Sequence, residues 1–139
     1  IGGTVVIEDT NITPEPTAVP TAVITAPPGV GNVAMSPNYV TGDVNTTVSF
    51  SLVANSGTQR IAAYGIDIFY NQNILGNANV DEGSDGFLSA ANTNTPGEII
   101  TSGFDASGVG PGQNLNLLIV TLTANNPGTS PPWRNHSTT

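Results

Sequence analysis

Alternating apolar and polar positions run through the middle of the chain. In Thr47–Ala54, the apolar residues Val48, Phe50 and Leu52 alternate with serines, and a period of two places them on one face of a β-strand. The same period predicts three further strands: Ile61–Tyr70, Glu98–Phe104 and Asn114–Ala124. Apolar residues do not recur at helical spacing over three turns anywhere in the sequence. The pattern therefore predicts an all-β protein.

Two of these predicted strands carry apolar side chains on both faces. In Asn114–Ala124, one row runs from Leu118 to Ala124 and the opposite row contains Leu117 and Ile119. A strand that is apolar on both sides is a central strand or is covered by a partner, so Leu117 and Ile119 are predicted interface residues. In Ile61–Tyr70, alternation places Phe69 opposite the buried row and exposes it. A register shifted by one residue would instead bury Phe69.

Composition divides the chain into four segments. A short β-branched run in residues 1–10 predicts an N-terminal strand, and five prolines in residues 11–30 predict a stiff Pro/Thr-rich arm. Residues 31–126 match the size of a jelly-roll or immunoglobulin-like β-sandwich. Residues 127–139 form a Pro/Ser/Thr-rich tail. The expected architecture is one sandwich with an extended N-terminal strand.

The stretch Ala63–Leu75 (AYGIDIFYNQNIL) resembles the cohesin modules of cellulosomal scaffoldins and related carbohydrate-binding sandwiches. Gly65, Asp67 and Tyr70 keep the order of that family's central-strand motif, whereas Asn71 and Gln72 stand where the motif has Asp-Pro. The glycine-rich turn and aliphatic strand of residues 97–124 are similar to the family's last two strands. The resemblance implies a nine-stranded jelly roll that binds protein, with a dockerin partner on the face that carries Phe69.

The segment between Val33 and Ala124 is shorter than such a module usually needs for all its strands. A sandwich that lacks a strand exposes unpaired backbone groups, which are costly unless another strand pairs with them. The run Val5, Val6 and Ile7 is predicted to fill this groove in a neighbouring copy, by donor-strand complementation. Residues 21–25 (TAVIT) are a second candidate donor. The alternative is that Val5–Ile7 pairs within its own domain.

Charge and composition exclude several classes of partner. The chain has a net charge of −8, two arginines and no lysine, which cannot neutralise a phosphate backbone and disfavours anionic lipid. No apolar run approaches the length of a membrane span, and without cysteine there are no disulfides or thiolate sites. The Thr/Asn-rich, lysine-free composition and the start at Ile1 predict a processed, secreted protein.

The acidic cluster of residues 81–86 is the candidate metal site. Asp81 and Asp85 followed by Gly86 resemble half of a calcium loop. The full pattern fails, because Gly83 stands at position three and Asn92 replaces Glu at position twelve. A solvated turn is the alternative. No other cofactor is predicted.

Other candidate chemistry is sparse. Asn11, Asn45 and Asn135 lie in Asn-x-Ser/Thr sequons and permit glycosylation. Chance alone produces this number of sequons in a chain of this composition. The sole histidine, His136, lies in the tail, and no Ser/His/Asp arrangement occurs in the folded region, so we predict no enzymatic activity. Tyr39, Phe69 and Trp133 are the aromatic residues available for a polysaccharide.

The sequence therefore favours a non-catalytic extracellular structural protein, a self-assembling subunit of a filament or surface layer joined by terminal-strand exchange. The alternative is a scaffoldin-type cohesin module that binds a dockerin partner. A carbohydrate-binding module is the third possibility.

Overall fold

The computed structural model describes residues 3–8, 28–37 and 39–130, which form ten strands joined by turns. The strands are β1 (Thr4–Glu8), β2 (Val33–Ser36), β3 (Tyr39–Asp43), β4 (Thr47–Ala54), β5 (Ile61–Phe69), β6 (Leu75–Glu82), β7 (Leu88–Asn92), β8 (Glu98–Val109), β9 (Leu115–Ala124) and β10 (Gly128–Ser130). Within these ranges no helix is long and apolar enough to cross a membrane. The prediction of an all-β fold is confirmed.

The strands form three hydrogen-bonded sheets, with the orders β2-β4-β9-β6, β5-β8-β7 and β10-β1-β3. Pairing is antiparallel throughout the first two sheets. Inward-facing residues from all three sheets meet in a single hydrophobic core. The core is lined mainly by β-branched and aliphatic side chains, as strand propensity and burial require.

The four strands with clear period-two patterns match observed strands. β4 has the predicted bounds, and β5 and β9 differ from theirs by one residue at one end. β8 continues five residues beyond the predicted end at Phe104. β10 forms within residues 127–139, the predicted tail, and pairs with β1. A three-residue strand without apolar alternation leaves no pattern in the sequence.

The two apolar rows predicted for β9 are not on opposite faces. The pairing of β4 with β9 shifts register between Leu52 and Val53, where Leu52 lies opposite Leu118 and Val53 lies opposite Asn116. The extra residue in β9 is Leu117, and such a β-bulge changes the phase of the inward-facing positions. Leu117 and Leu118 are therefore both fully buried. The prediction that Leu117 is an interface residue is wrong, because its side chain lies in the core.

β1 lies within its own sandwich. It pairs in parallel with β3 over all five residues, from Thr4 opposite Tyr39 to Glu8 opposite Asp43, and antiparallel with β10. Val5 and Ile7 are buried in the core. The chain thus adopts the alternative reading of the N-terminal run, in which the run pairs with its own domain. The second candidate donor, residues 21–25, lies outside the described residues.

Candidate partner-binding face

The sheet β5-β8-β7 presents one side to solvent, which we call the outer face. It consists of alternate residues of the three strands, paired row by row: Leu88, Phe104 and Ala63; Ala90, Ser102 and Gly65; Asn92, Ile100 and Asp67; Glu98 and Phe69. The intervening residues of β5, namely Tyr64, Ile66 and Ile68, are buried on the inner side. The period of two thus separates core from surface in this sheet.

The inward row of β8 contains small or polar residues, which sequence patterning would place at the surface. Thr101 is buried, and its hydroxyl donates a hydrogen bond to the Ile66 carbonyl oxygen at 2.9 Å. Gly103 lies against the Tyr64 ring, so closely that an added Cβ would overlap the ring. Tyr64 fills the space that a larger residue at 103 would take, so the inward row of β8 combines Thr101 and Gly103 with the fully buried Ile99, while Ile100 and Phe104 face outward.

Exposed apolar side chains concentrate on the outer face. Five large apolar residues of the described chain are exposed, and four of them belong to this face: Phe69 (41%), Ile100 (46%), Phe104 (54%) and Leu88 (62%). The fifth, Val30, lies in the turn before β2. Scattered exposed apolar residues are normal on a soluble protein, whereas their concentration on one face of one sheet indicates an interaction surface.

The outer face has a shallow relief. Small residues form its middle row, Ala90, Ser102 and Gly65. On one side of this row lie Leu88 and Phe104, and on the other lie Asp67, Phe69 and Ile100. A depression of about 380 Å³ lies at the Leu88–Phe104 end. Such a surface accepts a protruding apolar ridge from a partner, because side chains stand higher on both flanks than in the middle row.

The charged groups on the outer face are acidic. Asp67 lies opposite Ile100, and Glu98 lies opposite Phe69, so two carboxylates border the apolar residues at one end. Arg60 precedes β5, and its guanidinium donates to the Gly108 carbonyl oxygen at 3.1 Å. Negative charge thus flanks the apolar surface. Arg60, the basic residue nearest to β5 in sequence, is hydrogen-bonded to the backbone of β8.

Tyr64 supports the outer face from below. Its ring meets Phe87 edge to face at 5.1 Å between ring centroids, and its hydroxyl lies 2.8 Å from Ser89 Oγ and donates to Leu117 O at 3.4 Å. Burial raises the pKa of the Tyr64 phenol above its ordinary value; the Ser89 hydrogen bond opposes this shift, and the charge of Glu82 adds to it. The phenol is therefore held neutral in a tightly packed position.

The residues predicted from sequence lie in different environments. Phe69 is exposed on the outer face, as alternation predicts. Val5, Ile7 and Leu117 are buried in the core, and Val6 and Ile119 are half-buried on the other sides of their strands. The role of Val5, Val6 and Ile7 as a donor strand stays a prediction.

Three residues of the outer face were missed by sequence reasoning: Leu88, Ile100 and Phe104. In β8 the apolar residues Ile100 and Phe104 alternate with Thr101 and Gly103, so hydrophobicity alone assigns the wrong row to the core. The signal that distinguishes the rows is the pairing of Gly103 with Tyr64 across the sheet, which requires knowledge of the register.

The predicted metal ligands of the acidic cluster, Asp81 and Asp85, form hydrogen bonds within the protein. Asp81 accepts a hydrogen bond from the Asn79 side chain at 3.1 Å, and Asp85 accepts one from the Asn116 backbone N–H at 2.6 Å. No group of three or more acidic, histidine or cysteine side chains converges there or elsewhere in these ranges. The calcium hypothesis gains no support, because hard cations need several oxygen ligands together.

Of the three sequons, Asn45 lies in the described residues. It is exposed in the turn between β3 and β4, with a φ of 70°, and its backbone N–H donates to the Ala124 carbonyl oxygen at 2.8 Å. The side chain is thus accessible for modification, and glycosylation stays a prediction. Asn11 and Asn135, like Trp133 and His136, lie outside the described residues.

The fold resembles that of solved cohesins. It is similar to a non-cellulosomal cohesin from the archaeon Archaeoglobus fulgidus (TM-score 0.50, 14% identity), where the match covers 58% of this chain and 56% of that one. It is also similar to the sixth cohesin of scaffoldin B from Acetivibrio cellulolyticus, solved with a Cel5 dockerin (TM-score 0.52, 15% identity, 60% and 64% covered). A type II cohesin–X-dockerin complex from the same organism matches with a TM-score of 0.51 at 14% identity, covering 68% of this chain and 71% of that one.

These likenesses define the class of fold. The chain has a cohesin-like β-sandwich, and it spans 56–65% of the length of the first three similar structures. No family model and no curated protein matches the sequence. At this level of identity the comparison establishes the fold, and the partner has to be argued from the surface of this chain.

Proposed function

We propose that this chain is a non-catalytic protein-binding module whose outer face binds a dockerin-type partner. The observation that carries the proposal is the concentration of exposed apolar side chains, Phe69, Leu88, Ile100 and Phe104, on one face of one sheet. The cohesin-like fold supports it, since two of the similar cohesins were solved with dockerins. This is the alternative reading of the sequence, and the comparisons favour it over the filament.

The charge of the outer face defines the chemistry of the partner. Asp67 and Glu98 border the apolar residues, and the whole chain carries no lysine and a net charge of −8. A complementary partner therefore presents apolar side chains flanked by lysine or arginine. Charge complementarity of this kind selects the partner and accelerates association. We further propose that the protein acts outside the cell, which its similarity in fold to scaffoldin cohesins and its lysine-free, Thr/Asn-rich composition support.

Calorimetric titration with purified dockerins tests this proposal. The probes are the Cel5 dockerin and the X-dockerin of Acetivibrio cellulolyticus, together with a panel of dockerins whose recognition surfaces carry basic residues. Phe104→Ser and Ile100→Ser should each weaken binding by tenfold or more, because central apolar anchors dominate interface energy. Since both side chains are exposed, the melting temperature should stay close to that of the native protein.

Val30→Ser is the matched control, because Val30 is exposed and apolar but lies away from the outer face. It should leave the affinity unchanged. The proposal is wrong if no dockerin binds, or if Val30→Ser weakens binding as much as Phe104→Ser. Binding of a polysaccharide panel through the same face, with loss in Phe104→Ser, would instead favour the carbohydrate-binding reading.

A self-assembling filament stays a prediction from sequence. The observation that favours it is the position of β1 between β3 and β10, separated from β2 by residues 9–32. Electron microscopy of the purified protein tests it directly. Fibres with a regular repeat would support a filament subunit, and monodisperse particles at high concentration would contradict it.

A further inference from the structure

β1 is separated from the next strand by a long segment of chain, and it pairs only with strands far away in sequence. Its ladder partners are residues 39–43 of β3 and residues 128–130 of β10, all far away in sequence. It pairs with no strand that directly precedes or follows it. Every contact that holds β1 is therefore long-range, and an identical segment from a second copy would make the same set of contacts.

The site occupied by β1 is built to receive it. Ile7 lies opposite Gly42 in the ladder, and its side chain is buried in the core. At the other end Gly3 lies against Met35, and an added Cβ would overlap the Met35 sulfur. Val5 and Ile7 reach the core from this strand. Removal of β1 would leave an apolar slot with unpaired backbone on both sides, which strongly favours occupation by some strand.

The connection between β1 and the sandwich is long. Residues 9–27 separate Glu8 from Pro28 and contain Pro14, Pro16, Pro20 and Pro27. A proline-rich segment of this length spans roughly 60 Å when extended, more than the width of a small domain. Pro28, where the described chain resumes, is buried, and its carbonyl oxygen accepts a 2.8 Å hydrogen bond from the Asn55 amide. Chain length therefore allows β1 to reach either its own slot or that of a neighbour.

We infer that β1 is an exchangeable strand, and that a second copy of this chain docks by inserting its Thr4–Glu8 segment between β3 and β10. This inference is independent of partner binding by the outer face. β1 makes the same contacts whether it occupies its own slot or the slot of a second copy. The equilibrium between these two arrangements therefore depends on the connecting segment and on protein concentration. The length and stiffness of the connection set the effective concentration of β1 at its own slot, on the order of millimolar for a short flexible linker, and exchange grows as the protein approaches the effective concentration. Reciprocal exchange gives closed dimers, and sequential exchange gives chains.

Engineered cysteines report which copy supplies the strand. Val6 and Thr129 are paired across β1 and β10, and directly opposite positions of antiparallel strands lie within disulfide reach. Val6 is half-buried and Thr129 is exposed, so cysteine should be tolerated at both. The native chain contains no cysteine. The double variant V6C/T129C, oxidised at low concentration, should form the intrachain disulfide and serves as the check of geometry.

The decisive sample mixes full-length V6C with size-tagged full-length T129C. The two are unfolded together, refolded at graded concentrations and oxidised, and the mixed dimer is measured by non-reducing electrophoresis. A disulfide between the two chains forms efficiently only when β1 of one copy lies beside β10 of the other. The control pair is V6C with T58C, because Thr58 is exposed in the turn between β4 and β5.

The inference predicts a V6C–T129C yield at least tenfold above the control pair, increasing with protein concentration. Equal yields for the two pairs, or no mixed dimer near millimolar concentration while V6C/T129C closes within the chain, would overturn it. Dockerin binding measured on the same samples reports the outer face separately. If dockerin binds but no mixed dimer forms, only strand exchange fails. If the mixed dimer forms but no dockerin binds, only the proposed partner binding fails.

Discussion

Tyr64 links the core to the outer face through a single side chain. Its ring packs on Phe87 and lies over Gly103, and its hydroxyl is held by Ser89 and Leu117. A large aromatic residue opposite glycine fills the volume that the glycine leaves empty and stabilises the cross-strand pair. The Tyr64–Gly103 contact is consistent with the register in which Ile99 is buried and Phe104 and Ile100 point outward.

The ionisation of Tyr64 predicts a loss of stability at high pH. Because its pKa is raised in the folded state, its contribution is fully present below the ordinary tyrosine pKa of about 10. Above that pH the unfolded chain releases the proton first, so the free energy of unfolding decreases until the folded pKa is passed. Tyr64→Phe should be less stable near pH 7, by about 1 kcal/mol for the lost hydrogen bond, but should have a shallower alkaline decline. Urea unfolding between pH 7 and 11 measures both; parallel curves for the two proteins would contradict this assignment.

At the scale of elements, the sequence predicts strands where one face is uniformly apolar. β4 follows this rule over its whole length and was predicted with its observed bounds. β8 was predicted as a strand, but its buried and exposed faces could not be assigned, because its buried row contains Thr101 and Gly103 while its exposed row contains Ile100 and Phe104. β3 and β10 are short and carry glycine and polar residues. Their positions are set by pairing with β1, which no local pattern encodes.

The β-bulge in β9 is the second feature hidden from sequence. Alternation alone placed Leu117 on the surface, whereas the bulge turns it into the core beside Leu118. The outer face was therefore only partly predictable: Phe69 followed from the period of β5, and its neighbours on β7 and β8 required the register between strands. Long-range pairing, rather than residue type, brings these side chains together.

The bulge gives a testable consequence at Leu117. Leu117→Ala should lower the free energy of unfolding by about 2–5 kcal/mol, the usual cost of emptying a fully buried leucine site. Ile119→Ala is the control on the same strand, and it should cost less because Ile119 is half-buried. Urea unfolding measures both losses. If Leu117→Ala left stability unchanged but weakened association, Leu117 would be a surface residue and the bulge would be misplaced.

At the scale of the whole molecule, charge acts in opposite directions on the two proposed associations. Every copy carries ten carboxylates against two arginines, so copies repel one another at long range. A partner with basic residues is attracted by the same field, which Asp67 and Glu98 concentrate beside the apolar residues of the outer face. Salt screens both effects, since the Debye length is about 10 Å at 0.1 M ionic strength and decreases as salt is added.

Ionic strength therefore separates the two associations within one protein. Raising sodium chloride from about 50 to 500 mM shortens the Debye length several-fold, so it should weaken dockerin binding, with the loss mainly in the association rate. The same change should increase the yield of the V6C–T129C mixed dimer, because repulsion between two chains of charge −8 is screened.

Asp67→Asn combined with Glu98→Gln should reduce the salt dependence of dockerin binding while leaving strand exchange almost unaltered, since these two side chains lie on the outer face rather than beside β1. Stopped-flow association and non-reducing electrophoresis supply the two measurements. If salt shifted both associations in the same direction, net charge would not be what distinguishes the partner from a second copy.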